Sequence, residues 1–322
     1  EKVKAIYDDL HKRYPKARLI ASSFNEIAEE LIVMQDQLPV VTSEIGDTWI
    51  YGYGSAPIRM AKFRALSELY SQWLREKKID KNSDAALDFV LELGLIAEHT
   101  QGVDVKTHLH NWDKYDMDLF LPARATAPFR KAEASWKELD DYIYNAIQYL
   151  PQNLQVEALA KMKEIDEPVV PSFTEKSQSV ASTPWQAAVL KNDILKIEGL
   201  SYQMYDAADY QHYLDNYLRA HYGWALADIG KPELDKSKAI SISLPAQTIR
   251  KEVRKEKKGI RTVNELVFPE RPEVDRRVYP EKMYVDVLEY KNGKKAEVTL
   301  TIKDKPAVRL PEAYWLSFNT DD

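Results

Sequence analysis

The chain has 322 residues, with 45 Lys+Arg against 51 Asp+Glu for a net charge of −6, and no cysteine. It is long enough for about two domains and a substantial core. The balance implies no polyanion partner such as nucleic acid, the missing thiols exclude disulfides and thiolate metal sites, and no apolar run approaches the ~18 residues of a membrane-spanning helix.

In chain order, Val3, Ile6, Tyr7 and Leu10 share one face and predict a helix over residues 2–13 that Tyr14-Pro15 ends. Residues 18–24 read as a buried strand, Asn25 as the cap of a helix carrying Ile27, Ala28, Leu31, Ile32 and Met34, and residues 38–42 as a second strand. That α-β-α-β order implies parallel strands with helical crossovers. Parallel sheets are covered on both faces, so two strands are too few for a domain. Residues 1–54 are therefore expected to be the C-terminal end of an α/β (barrel) domain whose earlier strands lie elsewhere. The opening on Glu1-Lys2-Val3-Lys4, without Met, fits a processed or truncated polypeptide.

The turn that follows, Ser43-Glu44-Ile45-Gly46-Asp47-Thr48-Trp49-Ile50-Tyr51-Gly52-Tyr53-Gly54, is the richest stretch. Glycines there admit close backbone approach, and aromatics offer a flat face to a sugar ring. Carboxylates just past a strand end are where α/β barrels keep their chemistry. Glu44 and Asp47 are candidate general acids, because a carboxyl in an aromatic pocket can stay protonated near neutral pH. The plainer reading is a strand-helix joint with core aromatics and helix-capping acids.

From Pro57 the pattern is helical: Ile58, Ala61, Ala65, Leu69 and Trp73; then Ala86, Phe89, Val90, Leu93, Ile96 and Ala97; then Phe129, Ala132, Trp136, Leu139, Ile143, Ile147 and Leu150; and a shorter run over residues 155–163. Long helices with few glycines predict an antiparallel helical bundle over residues 55–167, with a polar and aromatic connection at residues 100–128. Residues 168–184, rich in Pro, Ser and Thr, read as a linker. After it the period becomes two, with strands expected at residues 185–197, 238–244, 283–290, 296–302 and 316–318, in a mainly β sandwich-like domain over residues 185–322. Asn292-Gly293 is the strongest hairpin signal, and residues 202–223 form a tyrosine-rich helix or surface loop. The basic stretch at residues 250–261 interleaves Glu252 and Glu256 and reads as a solvated face. The fold class expected is thus multidomain α+β.

His99, at the end of the second long helix, can reach the loop at residues 44–54; alternatively it is a helix-end histidine satisfied by carbonyls or water. His108-Leu109-His110 puts both rings on one face only if extended and has no further ligand at metal spacing, so it reads as surface.

Trp49-Ile50-Tyr51-Gly52, Ser55-Ala56-Pro57, the basic helix Arg59-Met60-Ala61-Lys62-Phe63-Arg64, and Gly94 to Glu98-His99 together resemble the barrel-to-bundle junction and the metal-binding helix end of family 38 glycoside hydrolases, the class II α-mannosidases. Glu98 and Thr100 stand where that family has a first histidine and an aspartate. The chain is most similar, through Glu44-Ile45-Gly46-Asp47-Thr48-Trp49 and Glu98-His99-Thr100, to a group of uncharacterised bacterial proteins, many from Bacteroides, distantly related to these mannosidases. The resemblance implies the C-terminal part of a zinc-dependent retaining glycosidase. In it His99 is a metal ligand, Asp47 or Glu44 the acid/base, and Trp49, Tyr51 and Tyr53 a sugar platform. The nucleophile and the other ligands would come from an N-terminal barrel half, so this chain alone is expected to be inactive. It also implies a bacterial periplasmic or secreted protein acting on carbohydrate, with no membrane span. The alternative is a non-catalytic carbohydrate-binding or structural module of a bacterial glycan-utilisation protein.

Overall fold

The structure, a computed structural model, describes residues 2–40, 42, 53–97, 102–110, 112–189, 195–218 and 222–320. It divides into two compact units, residues 1–46 and 47–322.

The first unit holds α1 (Lys2–Arg13), α2 (Phe24–Val33) and a 3-10 turn (Gln35–Gln37). Ser23, rather than Asn25, caps α2: its hydroxyl accepts from Glu26 N, and Glu26 reaches back to Ser23 N in a reciprocal capping box. The strands expected at residues 18–24 and 38–42 are not formed among the described residues; residues 18–23 and the described part of 38–42 are irregular chain, Phe24 already belongs to α2, and none of these described residues is buried. A short apolar run becomes a strand only when a neighbour pairs its backbone groups, and among the described residues no strand pairs with either one. No barrel is closed among the described residues, and the fold is α+β in the general sense.

In the second unit, four helices surround one apolar core: α3 (Pro57–Arg75), α4 (Asp84–Gly94), α7 (Ala127–Gln148) and α8 (Gln152–Asp166). Pro57 at the first turn of α3 loses no hydrogen bond there, and Ser83 caps α4 through Ala86 N. Leu66, Trp73, Phe89, Ile143, Ile147, Leu154 and Met162 fill the centre. The connection between α4 and α7 contains α5 (Val105–His108) and α6 (Met117–Ala123) and packs elsewhere, its Leu109, Tyr115, Met117 and Phe120 joining the β core together with Phe129 of α7. One 22-residue helix, about 33 Å long at 1.5 Å per residue, therefore has its first turn in the β core and its last turns in the helical core.

The β region has two antiparallel sheets. The strands are β1 (Gln178–Pro184), β2 (Ala187–Val189), β3 (Leu195–Met204), β4 (Ile242–Pro245), β5 (Gln247–Lys255), β6 (Gly259–Val267), β7 (Met283–Tyr290), β8 (Ala296–Ile302) and β9 (Glu312–Thr320). One sheet runs β1-β5-β6-β7-β8; in the other, β3 pairs with β9 along one edge and with β2 and β4 along the other. The chain passes between sheets three times, at residues 185–186, at Ala246 and over residues 303–311; at the first two, Trp185 N donates to Ala246 O (2.9 Å) and Ala246 N to Leu200 O (2.7 Å). Such corners carry the chain directly from a strand of one sheet into a strand of the other. The inner faces share one core through Trp185, Ile197, Leu200, Leu244, Leu266 and Met283.

Three strands lie outside the expected set. β1 falls within the stretch read as a linker, and β5 and β6 within or beside the charged stretch read as a solvated face. The segment ahead of β1 is pinned to β5: Thr174 N and Oγ1 donate to Glu252 at 2.8 and 2.6 Å, and Arg254 Nε at 2.8 Å. Arg254 and Thr174 hold the Glu252 carboxyl down to about 2. The tyrosine-rich stretch divides into the end of β3 and α9 (Ala207–Tyr217), and α10 (Gly223–Ile229) follows it, before β4.

Candidate functional site

Glu44, Asp47, Trp49, Tyr51 and His99 lie outside the described residues, and Tyr53 opens a 3-10 turn, Tyr53–Ser55, that leads through Ala56 into α3. What the structure gives is the frame on either side of the two segments. After residues 43–52 the chain is fastened by Arg59. Its side chain is 6% exposed; Nε donates to Asp140 Oδ1 at 2.6 Å and Nη2 to the Trp136 carbonyl at 2.8 Å.

Before residues 98–101, Ile96 is sunk in the helical core, within the 3-10 turn Leu95–Ala97. After them, Val103 N donates to Ser135 Oγ at 3.0 Å. Gly102 sits at φ +97°, and a Cβ there would lie 2.7 Å from Ser135 Oγ and 2.8 Å from the Trp136 ring. Only glycine allows that approach. The exit from each segment is thus tied to the same short stretch of α7, residues 135–140. Trp136 stands at this junction 41% exposed. Its helical spacing had placed it on a buried face, and only the tertiary arrangement shows its position.

Below Arg59, Lys62 ties α3 to the ends of α7 and α8: Nζ lies 2.6 Å from Asp166 Oδ1 and donates to Tyr144 Oη at 2.9 Å, and Tyr144 donates to Asp166 Oδ2 at 2.9 Å. Burial lowers the proton affinity of Lys62, but its bonds to Asp166 and Tyr144 outweigh that and leave its pKa above the ordinary value. The cations at positions 59 and 62 therefore hold helices together.

His108 ends α5 beside Lys131 Nζ (3.2 Å from Nδ1), whereas His110 Nε2 lies 3.0 Å from Thr107 O. Among the described residues, no group of three His, Asp or Glu side chains could hold a metal ion.

A second set of ionisable groups lies in the β core, where no spacing in the sequence marked it. Tyr202 on β3 is 0% exposed, and its Oη, Tyr314 Oη and Glu312 Oε2 on β9 are buried without a well-formed hydrogen bond among the described residues. Lys305 pairs with Glu312, and Lys231 Nζ donates to Arg309 O at 3.4 Å. Burial, then the nearby Glu312, raises the pKa of both tyrosines well above the ordinary value; burial also raises Glu312. Lys231 is pushed down to about 8 by burial and then by neighbouring Arg309. The Arg309 guanidinium lies over Trp112, Tyr115 and Phe129 at 5.6, 5.1 and 5.2 Å from their ring centres. This arrangement clamps the segment at residues 303–311 onto the start of α7.

No helix among the described residues is long and apolar enough to cross a membrane. No curated protein and no solved structure matches the chain. Over residues 53–191, which take in all of α3 to α8 and the first two strands, the chain is similar to a family described as Domain of unknown function (DUF5054).

Proposed function

We propose that this chain is the C-terminal part of a metal-assisted retaining glycoside hydrolase similar to α-mannosidases, acting on carbohydrate. The observation that carries the reading is the shared anchorage on α7: Arg59 after one motif segment, and Gly102 and Val103 after the other, all meet residues 135–140. Two sequence motifs that resemble parts of one active site thus leave from one place on the frame.

In this reading Asp47, or Glu44, is the acid/base, and Trp49, Tyr51 and Tyr53 give the sugar a platform. A retaining mechanism needs a second carboxylate as nucleophile about 5–5.5 Å away across the glycosidic bond. Glu44 and Asp47, three positions apart in one turn, flank the same side of a substrate, so the nucleophile belongs to an N-terminal barrel half. Catalytic zinc takes about three protein ligands. His99 would be one of them, and the described residues do not supply the rest.

The test compares residues 1–322 with a longer chain that carries the barrel half, measuring zinc content and hydrolysis of aryl α-mannosides. The longer chain is expected to hold one zinc and turn over, to lose zinc on His99→Ala and turnover on Asp47→Asn; residues 1–322 alone are expected to be inactive. A longer chain that neither binds zinc nor hydrolyses any glycoside would leave a carbohydrate-binding or structural module. Zinc-dependent turnover by residues 1–322 would place the whole site inside this chain.

A further inference from the structure

Two turns at one end of the five-stranded sheet lie against each other. The β5–β6 turn closes with Glu256 N donating to Gly259 O (2.8 Å), the β7–β8 turn with Tyr290 N donating to Lys295 O (3.0 Å), and Lys291 N joins them by donating to Lys258 O (3.1 Å). A Cβ on Gly259 would fall 1.8 Å from Glu289 O, so the contact requires glycine there. Together the turns wall a concavity of about 660 Å³, whose charged lining is Lys255, Lys291, Glu256 and Glu289, beside uncharged residues such as Ile260 and Tyr290.

The turns carry six lysines, Lys255, Lys257, Lys258, Lys291, Lys294 and Lys295, all exposed. Nearby acids are largely answered: Glu256 pairs with Arg261 at 2.7 Å and Glu297 with Lys295 at 2.8 Å, which leaves Glu289. Lys255, Lys257, Lys258, Lys291 and Lys294 make no ion pair among the described residues. In a chain of net charge −6 this is a marked local excess of positive charge, and such patches concentrate anionic partners.

We propose that these adjoining turns form a docking site for an acidic polysaccharide, a single glycan chain bearing carboxylate or sulfate groups. The concavity falls within the ~300–1,000 Å³ of ordinary ligand pockets, which suits a narrow chain. A nucleic-acid duplex or a bilayer is broad and would bring the negative remainder of the protein against further negative charge. The choice of a glycan among polyanions rests on the carbohydrate reading above, but the test reads binding without turnover, so either can fail alone.

The experiment is titration of residues 1–322 with polygalacturonate and with heparin fragments at about 0.15 M salt, beside neutral mannan, a DNA duplex and phosphatidylserine vesicles. Both acidic polysaccharides are expected to bind and mannan not. K257E/K258E/K294E is expected to weaken binding at least about tenfold and to flatten its salt dependence. The same charge change at remote exposed sites, K81E/K137E/K163E, should leave affinity within about twofold. K257Q/K258Q/K294Q, with an unchanged melting curve, should show an intermediate loss. Failure of both acidic polysaccharides to bind, equal loss in the remote variant, or tighter binding of DNA or vesicles would overturn the proposal.

Discussion

The helical core and the β core meet along α7 but handle polar groups in opposite ways. In the helical core the largest buried side chains are apolar or aromatic, and the two cations buried on α3 are answered one by one, Arg59 by Asp140 and Lys62 by Asp166 and Tyr144. A helix satisfies its own backbone, so four of them can bury side chains without importing polar chain. The β core also admits the segments at residues 230–236 and 303–312, and with them come Lys231, Arg309 and Glu312 beside three tyrosines whose rings pack at 5.4 Å, Tyr202 against Tyr279 and Tyr314. The lesson is that stability on one side rests on packing and fixed pairs, and on the other it is tied to protonation.

The sharpest test of the helical side is Trp73, 0% exposed and packed on Phe89 with ring centres 6.4 Å apart. Trp73→Ala should cost about 3–5 kcal/mol, read by denaturant unfolding. Because α7 belongs to both cores, the β signal should be lost in the same transition; a helical transition that leaves the β region folded would break the coupling. Trp73→Phe, which keeps a ring and removes an indole N–H with no partner among the described residues, should cost under about 2 kcal/mol.

Next in size is Arg59→Met, which takes the cation away from Asp140 and removes the guanidinium's bond to the Trp136 carbonyl. Losing one member of a buried pair commonly costs about 3–5 kcal/mol, but Asp140 is half exposed and can turn to water, so about 2 kcal/mol is expected. Arg59→Lys should recover less than half of that, since a single ammonium cannot reproduce the two-sided guanidinium contact. Full rescue by lysine would mean that charge alone is needed at that position.

How far this contrast could be read in advance depended on whether the signal was local. The limits of β7 and β8 follow from apolar period and turn chemistry, because one face of each had to be covered whatever its neighbours; those of α1 follow from its period and the stop at Tyr14-Pro15, although none of its residues is buried. Residues 18–24 and 38–42 show the converse: an apolar run looks the same whether or not a strand pairs with it. β5 was hidden because Arg250, Lys251, Glu252 and Arg254 read as solvent-facing, whereas Glu252 is buried against Arg254 and Thr174, 78 residues away from the latter. Residue types drew attention to Asp47 and His99, but the common anchorage on α7 of the chain that follows residues 43–52 and 98–101 emerged only from distant contacts, such as Arg59 with Asp140, about 80 residues apart in sequence. Lys231 and Glu312, likewise about 80 residues apart, had no local signal.

Lys231 gives the finest measure of the difference. Its folded pKa of about 8 lies below the ~10.4 of an unfolded lysine, burial being the main cause. Between those values the unfolded chain holds a proton that the folded chain has released, so stability rises with pH by up to ~1.4 kcal/mol per unit. The contribution is fully present only above the unfolded value and is lost as pH falls through about 8. Lys62 has the opposite sign: its pKa is raised, so its contribution is present throughout the neutral range and is lost only as pH climbs past the ordinary lysine value. Unfolding free energies of the wild type, Lys231→Met and Lys62→Met between pH 7.5 and 9.5 separate the two. The wild type should gain about 2 kcal/mol on Lys231→Met across that window, while its margin over Lys62→Met stays flat. The window stops short of pH 10 because Tyr115 and Tyr210, raised to about 12 by burial, then withdraw stability as the unfolded tyrosines ionise first. Parallel curves for the wild type and Lys231→Met would show that the Lys231 ammonium keeps its charge in the folded protein, and the β core would then be as indifferent to pH as the helical one.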